Sequence, residues 1–271
     1  MVIYQHVGGR MSQSSNNKMS QTKRLESIRR ELLKTNEISI EELALAFKVS
    51  GMTIRRDLEL LESKGEIIRT HGGAALAKRL TFEFAFREEQ NRNQRQKRDI
   101  ARQAVRHVKD GQVIMLDTGT TTLQVARELI GRKKVTIITT SLAIVSAVQF
   151  APGIEVILLG GFLRAGSPDM HGPLTEQNIE QFKSDIAFMG ADAIDDEGNT
   201  YTDDLRVVNV DRKMGFNADR VIVVADGRKF DKSAMCKVFT RKDYDLVISD
   251  ASLDKKTVKR FAIQKIKIEL V

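Results

Sequence analysis

The sequence of 271 residues is poor in cysteine and histidine, with a single cysteine, Cys236, and only four histidines, which are scattered along the chain. One cysteine excludes an intramolecular disulfide framework, and residues so scattered provide no metal-ligand cluster, so no metal site is expected. We interpret Cys236 as a small buried apolar group; a nucleophilic thiol is the alternative, but no histidine lies near it in the sequence. This cysteine usage favours a reducing, cytoplasmic location.

Long hydrophobic runs are also missing. No apolar stretch approaches the roughly 18 residues of a membrane-spanning helix, and residues 1–17 lack the apolar core of a signal peptide. Residues 1–18 are instead predicted to be a disordered tail. The hydrophobic content of 41% is enough for a sizeable core, so the remainder is expected to form one large domain or two.

The positive charge is confined to one part of the chain. The formal net charge is +8; residues 1–110 hold 22 Lys and Arg against 14 Asp and Glu, whereas residues 111–271 hold 22 of each. Such a local excess indicates a polyanionic partner. A membrane surface is the alternative partner, but the excess surrounds a pattern of helices that favours DNA.

Three helical segments follow one another in this basic region. The first covers residues 23–33, the second opens at a Ser-Ile-Glu-Glu capping box and covers residues 39–47, and the third covers residues 50–65. The third begins with a good N-cap, Ser50, and ends at Gly65, where a positive φ is often needed. One face of this helix is apolar, with Ile54, Leu58 and Leu61.

We interpret the third segment as a DNA recognition helix. Its polar face carries, near the N-terminus, side chains of the kind that reach base edges and phosphates in the major groove. Residues 38–40 are expected to form a short strand that pairs with residues 66–70, which makes the winged form of the helix-turn-helix. A solvated charged face is the alternative for any single helix, but the whole constellation favours DNA binding. The candidate DNA-binding residues are Ser50, Met52, Thr53, Arg55 and Arg56 on the helix and Arg69 and His71 on the wing.

A change of composition divides the chain. We expect a winged helix-turn-helix domain over residues 19–74, a linker over residues 75–98 and a second domain over residues 99–271. The linker begins with alternating phenylalanines, which either dock it on a domain face, the preferred interpretation, or form an edge strand: Phe82, Phe84 and Phe86. Helical spacing resumes over residues 99–108.

From residue 111 onwards, short β-branched runs alternate with helical segments. This alternation is typical of an α/β domain with an open, mostly parallel sheet. The predicted strands cover residues 113–116, 135–139, 156–159, 186–189, 221–225, 246–249 and 266–270. Ligands of such sheets bind outside the carboxyl ends of the strands, so the residues after each run are candidates for a binding site.

The first of these strands is followed by a Gly/Thr-rich loop, residues 117–122, and then by a helix. Backbone N–H groups and hydroxyls at a helix N-terminus form an anion site. The loop lacks the lysine of a Walker motif, so a nucleotide triphosphate is not implied. No cofactor is expected. A threonine-rich cap with a purely structural role is the alternative.

Small, hydroxylic and charged residues also follow the other strands. Glycines let a ligand approach the backbone, an aspartate accepts hydrogen bonds from sugar hydroxyls, and a lysine or arginine neutralises a phosphate. Tight turns and solvated loops are the structural alternatives. The candidate ligand-binding residues are Asp117, Gly119, Thr120, Thr121, Thr122, Thr140, Ser141, Gly160, Gly161, Arg164, Asp192 and Lys229.

Several motifs occur together in a fixed order. They are residues 49–65 and 69–74 in the first domain and residues 117–121, 159–161, 188–190 and 226–230 in the second. In this combination they resemble the DeoR family of bacterial transcriptional regulators, from about residue 19 to the end of the chain.

The resemblance implies a repressor of sugar-catabolism genes whose operator binding is controlled by a phosphorylated sugar. It also implies that the second domain is similar in fold to ribose-phosphate isomerases, with the phosphate held by residues 117–122 and the sugar by the other candidate residues. The expected partners are a double-stranded DNA operator, the phosphorylated sugar and, because such operators are repeated half-sites, a second copy of the chain.

An isomerase-like enzyme with an appended DNA-binding domain is the alternative function. Residues 190–195 do resemble the carboxylate segment of the isomerases, whereas residues 198–204 lack the lysine followed by glycines that those enzymes carry. Enolisation needs a positioned base and a group that stabilises the oxyanion. We therefore assign no catalytic residue and predict that the protein is not an enzyme.

Overall fold

The computed structural model of the chain describes residues 20–35, 37–76, 86, 88–164 and 167–271. The predicted disordered tail, residues 1–18, lies outside these residues, as do Phe82 and Phe84 of the predicted linker. The chain divides into two compact units between residues 81 and 82. Within the described residues, every helix is too short or too polar to cross a bilayer.

The first unit is a winged helix-turn-helix. In chain order its elements are α1 (Gln21–Thr35), β1 (Glu37–Ser39), α2 (Ile40–Phe47), α3 (Gly51–Ser63), β2 (Ile67–Arg69) and β3 (Gly73–Leu76). The three predicted helices are thus confirmed, and their apolar faces meet in one core. Its buried members include Leu25, Ile28, Leu43, Ile54, Leu58 and Leu61.

Local hydrogen bonds explain where two of these helices begin. At the start of α2 the side chains of Ser39 and Glu42 each bond the backbone of the other residue, which confirms the capping box. At the start of α3 the Oγ of Ser50 accepts a hydrogen bond from the backbone N–H of Thr53 at 3.2 Å. Beyond its end lies Gly65, with a φ of +69°, as predicted.

The sheet of this unit differs from the expectation. Residues 38–40 were predicted to pair directly with residues 66–70, but the strand order is β1-β3-β2, so β3 lies between them. The glycine at the start of β3 permits this arrangement, because a Cβ on Gly73 would collide with the carbonyl oxygen of Ile38. The wing is therefore the β2–β3 hairpin, and β1 joins its far edge.

The second unit is built around a parallel sheet. Its first half contains α4 (Gln94–Ala104), β4 (Val113–Leu116), α5 (Thr120–Glu128), β5 (Val135–Thr139), α6 (Leu142–Val148), β6 (Ile154–Leu158), β7 (Phe162–Leu163), β8 (Met170–His171) and α7 (Pro173–Ile179). Its second half contains β9 (Ile186–Met189), β10 (Ala193–Ile194), β11 (Thr200–Thr202), α8 (Leu205–Phe216), β12 (Val221–Val224), β13 (Cys236–Lys237), β14 (Leu246–Ser249), α9 (Lys255–Ile263) and β15 (Ile268–Leu270). Cys236 is half-buried in β13, so the prediction that it is buried was wrong.

All seven predicted strands are present in one sheet, in the order β15-β14-β12-β9-β4-β5-β6. Each neighbouring pair is parallel, which confirms the predicted fold class. Three strands differ slightly in length from the prediction. The four residues of each of β9, β12 and β14 are all buried, as expected for a sheet covered on both faces.

The strand order changes direction between β4 and β9. From β4 the chain proceeds outwards through β5 and β6, then returns to β9 on the other side of β4 and continues through β12, β14 and β15. Connections that diverge in this way leave a crevice outside the carboxyl ends of the two strands. The fold therefore places any ligand next to the loops that follow β4 and β9.

Helix α4 begins earlier than expected. We predicted helical structure from residue 99 and a polar linker before it, but the helix starts at Gln94. Its buried face includes Ile100, Ala101 and Ala104 and also Lys97, which is only 1% exposed. The Nζ of Lys97 lies 2.9 Å from a carboxylate oxygen of Glu89. A buried ion pair thus accounts for polar residues that sequence periodicity assigned to a linker.

Candidate functional site

The first candidate site is the N-terminal half of α3. The side chains of Arg55 and Arg56 are exposed, and Met52 is 56% exposed. One guanidinium nitrogen of Arg55 lies 3.6 Å from the sulfur of Met52. The opposite face of the helix is buried, so these side chains form the free surface of the helix, as a recognition helix requires.

Two other predicted DNA-binding residues take part in the helix cap. The hydroxyls of Ser50 and Thr53 lie 2.9 Å apart, and that of Ser50 also accepts the N–H bond at the start of α3. Both side chains are at least partly accessible, so capping leaves them available to a phosphate. Of the predicted wing residues, His71 is exposed in the β2–β3 turn, whereas Arg69 is half-buried, 3.3 Å from the carboxylate of Glu59 on α3.

One buried pair supports this helix from within the unit. Asp57, on the inward face of α3, accepts hydrogen bonds from Arg24 at 2.5 and 3.1 Å and from Gln21 at 3.1 Å. The pair fixes α1 against the recognition helix. Sequence analysis assigned no role to Asp57, although a single acid among the apolar positions of a helix is a signal of a buried partner.

The second candidate site is a cavity of about 760 Å³ in the second unit, at the carboxyl ends of the parallel strands. Residues from the loops after β4, β9 and β12 line it, which is the location that the change in strand direction predicts. Seven of the predicted ligand-binding residues line this cavity: Asp117, Gly119, Thr120, Thr121, Arg164, Asp192 and Lys229.

The other five predicted residues lie nearby but outside the cavity lining. Thr122 is fully buried and hydrogen-bonded within the loop, Thr140 is fully buried, and Ser141 caps α6. The carbonyl oxygen of Gly160 accepts bonds from Thr175 and Asn178 of α7, and Gly161 packs against the same Thr175.

Asp117 organises the loop that holds α5. Its buried carboxylate accepts hydrogen bonds from the hydroxyl of Thr122 at 2.6 Å, from the backbone N–H of Gly119 at 2.9 Å and from the backbone N–H of Gly190. Burial raises the pKa of Asp117, although these three hydrogen bonds act in the opposite direction. The Gly190 bond joins the loop after β4 to the loop after β9.

Arg164 is held by two carboxylates. It donates to Asp169 at 2.8 and 3.1 Å, to Asp204 at 2.7 Å and to the hydroxyl of Ser167 at 2.7 Å. Burial alone would lower the pKa of Arg164, but Asp169 and Asp204 raise it. Its charge is therefore largely committed to protein partners before any ligand arrives.

Lys229 is less constrained. Its Nζ lies 3.8 Å from the carboxylate of Asp192, which also accepts hydrogen bonds from the hydroxyl of Thr202 at 3.0 Å and the backbone N–H of Asp203 at 3.2 Å. An amine at this distance from its partner can turn towards a bound anion. The lysine and the N-terminus of α5 are thus two sources of positive potential in the cavity.

The cavity also contains residues that sequence analysis missed. Phe86, Glu88, Glu89 and Arg92 line it, although all four fall in the predicted linker. Glu89 is anchored by Lys97 and by Arg228, whose guanidinium lies 3.0 Å from its carboxylate. Glu88, Glu89 and Arg92 have the polarity of a linker, so no signal in the sequence indicates that they line a cavity, whereas Phe86 packs against the core of the second unit.

Helix α8 contributes further residues that sequence analysis missed. Leu205, Arg206, Val207 and Asp211 line the cavity, and the last two are four residues apart on one helix face. Burial and the nearby carboxylates of Asp117, Asp169 and Asp192 raise the pKa of Asp211 well above its usual range. A lone acid at an inward position of an apolar helical stretch is the signal that could have found it.

Two family models match the chain. The DeoR-like helix-turn-helix domain matches residues 24–79, and the DeoR C terminal sensor domain matches residues 92–251. Together they include α3 with the wing and every cavity-lining residue from Arg92 onwards.

Similar proteins carry the names of repressors. A protein of Escherichia coli O157:H7 with a provisional name as an aga operon transcriptional repressor is 32% identical and covers 86% of this chain and 87% of its own. The glycerol-3-phosphate regulon repressor of Escherichia coli strain K12 is 31% identical, and the match covers 86% of this chain and 92% of the relative. The lactose phosphotransferase system repressor of Lactococcus lactis subsp. lactis is 32% identical, and the match covers 90% of this chain and 96% of the relative.

Among solved structures, ribose 5-phosphate isomerase A from Methanocaldococcus jannaschii is 26% identical over 51% of this chain and 55% of that chain, with a TM-score of 0.39. The family models and the full-length relatives agree on both units and on their order. The chain therefore belongs to the DeoR family of transcriptional regulators.

Proposed function

We propose that this protein is a repressor of a sugar-catabolism operon, with the cavity of the second unit as the receptor for a phosphorylated sugar that controls operator binding. The observation that carries the proposal is the position of the cavity. It lies in front of the N-terminus of α5, at the point where the strand order of a parallel sheet changes direction.

The phosphate would bind at the start of α5. The first N–H groups of a helix have no partner within it, and Thr120 and Thr121 bring both N–H groups and hydroxyls to the cavity lining. Lys229 would add a full positive charge. Asp117 would act indirectly, because its carboxylate is already bonded to Gly119, Thr122 and Gly190.

The names of the relatives support a phosphorylated ligand. One relative is named for a glycerol-3-phosphate regulon and another for a lactose phosphotransferase system. A ligand of that class needs a site that neutralises a phosphate and accepts hydrogen bonds from hydroxyls, and the carboxylate of Asp192 would serve the second purpose.

The DNA half of the function would rest on α3. We propose that Arg55 and Arg56 contact phosphates or base edges while α3 lies in the major groove, with the wing beside it. Repeated half-sites in an operator require a homo-oligomer, and DNA as a target implies the cytoplasm.

Ligand binding would reach the DNA-binding unit through the segment of residues 86–92. Phe86, Glu88, Glu89 and Arg92 of this segment line the cavity, and in the sequence the segment lies close to the start of the second unit. A ligand that prefers one position of this segment would shift the equilibrium between the DNA-competent and DNA-incompetent arrangements.

The test is a thermal-shift screen of the full chain against phosphorylated sugars and their free counterparts. We expect stabilisation by a sugar phosphate but not by its free sugar, and loss of that effect in Thr120→Val. Thr136→Val, the same change on β5 outside the cavity lining, should respond like the wild type. Stabilisation by free sugars alone, or by no sugar compound, would contradict the proposal.

We also propose that the cavity has no isomerase activity. The two carboxyl groups beside α5 are engaged, Asp117 in loop hydrogen bonds and Asp192 with Thr202 and the backbone of Asp203. Purified protein should not convert pentose or hexose phosphates. Turnover that disappears in Asp192→Asn would overturn this part of the proposal.

A further inference from the structure

The cavity is more acidic than a phosphate receptor should be. Its lining contains seven acidic side chains, Glu88, Glu89, Asp117, Asp192, Asp203, Asp204 and Asp211, against four basic ones, Arg92, Arg164, Arg206 and Lys229. A ligand with only negative charge would meet a lining with an excess of the same sign. The composition therefore points to a ligand that also carries a positive group.

Most of these acids have partners inside the protein. Asp117 and Asp192 accept the hydrogen bonds described above, Asp204 binds Arg164, and Glu89 binds Lys97. Asp203 accepts a bond from the backbone N–H of Met235 at 3.4 Å, and Glu88 is exposed to solvent. These groups need no ligand.

Asp211 is the exception. It is half-buried on the cavity side of α8, and among the described residues no side chain or backbone group forms a hydrogen bond or ion pair with it. A carboxyl that faces the cavity without a protein partner is free to accept hydrogen bonds from a bound ligand. The bound ligand is the candidate for that partner.

The charged groups around Asp211 determine which ligand group fits. The surrounding loops bring three carboxylates towards it, Asp117 after β4, Asp169 before β8 and Asp192 after β9. Arg164 is the cation that acts on it, but its guanidinium already donates to Asp169 and Asp204. Along α8 itself, Arg206 is paired with Asp204 at the start of the helix. Among the described residues no cation forms an ion pair with Asp211, and most of the charges that act strongly on it are negative.

We propose that the cavity binds a phosphorylated amino sugar, with the ammonium group of the sugar held by the carboxylate of Asp211. This inference rests on the proposed function, because the phosphate is assigned to the N-terminus of α5. An ammonium has three donors and a full charge, so it satisfies a carboxyl in a negative field better than a hydroxyl, which has one donor and no charge.

Binding would move a proton. In the free protein the negative surroundings favour the protonated carboxyl of Asp211, whereas a bound ammonium favours the carboxylate, so the O–H bond breaks and the proton passes to solvent. Affinity should therefore rise with pH while the free carboxyl is still protonated. A sugar phosphate without the amino group would leave Asp211 protonated, so it would not release this proton.

Calorimetric titration of the full chain with matched pairs tests the inference. The probes are glucosamine 6-phosphate against glucose 6-phosphate and galactosamine 6-phosphate against galactose 6-phosphate. In at least one pair the amino compound should bind about tenfold more tightly or better, as a charge-assisted hydrogen bond allows. Titrations in two buffers of different ionisation enthalpy should show that the amino compound releases more protons than its partner without the amino group.

Substitutions link the effect to the residue. Asp211→Asn keeps the shape of the side chain and relieves the local repulsion, so it should fold; it should lose both the amino preference and the proton release. Asp219→Asn makes the same change at an exposed position just beyond α8, outside the cavity lining, and should retain both. An amino preference that survives in Asp211→Asn would overturn the assignment of Asp211.

The remaining outcomes separate the two proposals. If the compound without an amino group binds equally or more tightly in both pairs, the amino-sugar inference is overturned and the proposal of a phosphorylated-sugar receptor stands. Failure of every phosphorylated compound, together with no response to a wider set of sugar phosphates, would overturn both.

Discussion

The hydroxyl of Thr122 lies 2.6 Å from the Oδ1 of Asp117, and both side chains are buried behind the loop that leads into α5. The same carboxylate receives the backbone N–H of Gly190 from the loop after β9. Two threonines of one loop therefore have different roles. Thr120 lines the cavity, whereas Thr122 fixes the carboxylate that joins two strand ends.

This relationship predicts the effect of Thr122→Val. Valine has nearly the same shape but no donor, so the buried carboxylate of Asp117 loses one of its three hydrogen bonds. We expect a loss of about 1–3 kcal/mol in the free energy of unfolding of the second unit, together with weaker ligand binding. Urea denaturation measures the first effect. Thr136→Val is the matched control, and an equal loss there would contradict the prediction.

Arg55→Ala and Arg56→Ala should weaken operator binding in a salt-dependent manner. Each phosphate contact that is removed should reduce the slope of log affinity against log salt by about 0.9. Fluorescence anisotropy with labelled operator over a range of salt concentrations measures the slope. Arg30→Ala removes an exposed arginine from α1 and serves as the control. If neither α3 variant changes affinity or slope, α3 is not the recognition helix.

The buried pair beneath α3 should dominate the stability of the first unit. Asp57→Ala leaves Arg24 buried without its carboxylate partner, and breaking such a pair costs about 3–5 kcal/mol. Glu59→Ala breaks the exposed pair with Arg69 on the same helix and should cost about 0–1 kcal/mol. Thermal unfolding of the two variants should differ accordingly, and similar melting temperatures would refute the prediction.

Asp211 should make the stability of the ligand-free protein depend on pH. Its pKa is raised in the folded state, so the folded protein binds a proton that the unfolded chain releases above about pH 4. The wild type should therefore lose stability as pH rises from there towards the folded pKa. Asp211→Asn should remove this loss. Its melting temperature should be higher than that of the wild type at pH 7, and it should not show the gain in stability that the wild type shows as pH falls towards 4. Asp219→Asn should follow the wild type throughout.

Glu89→Gln should separate ligand binding from operator release. The charge of Glu89 holds the segment of residues 86–92 to Lys97 and Arg228. Without that charge the segment should no longer take one defined position, so the ligand should still bind while its effect on operator affinity falls by about tenfold, within the usual range of coupling energies. Glu128→Gln, away from the cavity lining, is the control. Undiminished release in Glu89→Gln would exclude this segment as the link.

The parts of the fold that follow from local patterns were predictable from the sequence. The capping box at Ser39, the N-cap at Ser50 and the β-branched runs of the parallel sheet each appear where their chemistry places them. The loop at Asp117 could be placed in the cavity because the carboxyl ends of parallel strands share one edge of a sheet.

The parts that depend on contacts between distant residues were not predictable. The polarity of Lys97 and Glu89 indicates a linker until the two are seen to neutralise each other. The inward position of Asp211 could be inferred from the apolar spacing of its helix, but its lack of a partner is visible only once its neighbours are known. The interposed position of β3 likewise depends on how closely Gly73 approaches Ile38.

The change in strand direction beside β4 has a consequence for how such regulators diversify. The residues that line the cavity lie outside the seven-stranded sheet, in loops, in the short strand β11 and on helices such as α8, while the buried strands beneath supply only their backbone register. A gene duplicate can therefore exchange the sugar to which it responds by altering a few surface segments, without repacking the sheet. In this architecture, the residues that recognise the ligand can change without a change in the residues that stabilise the fold.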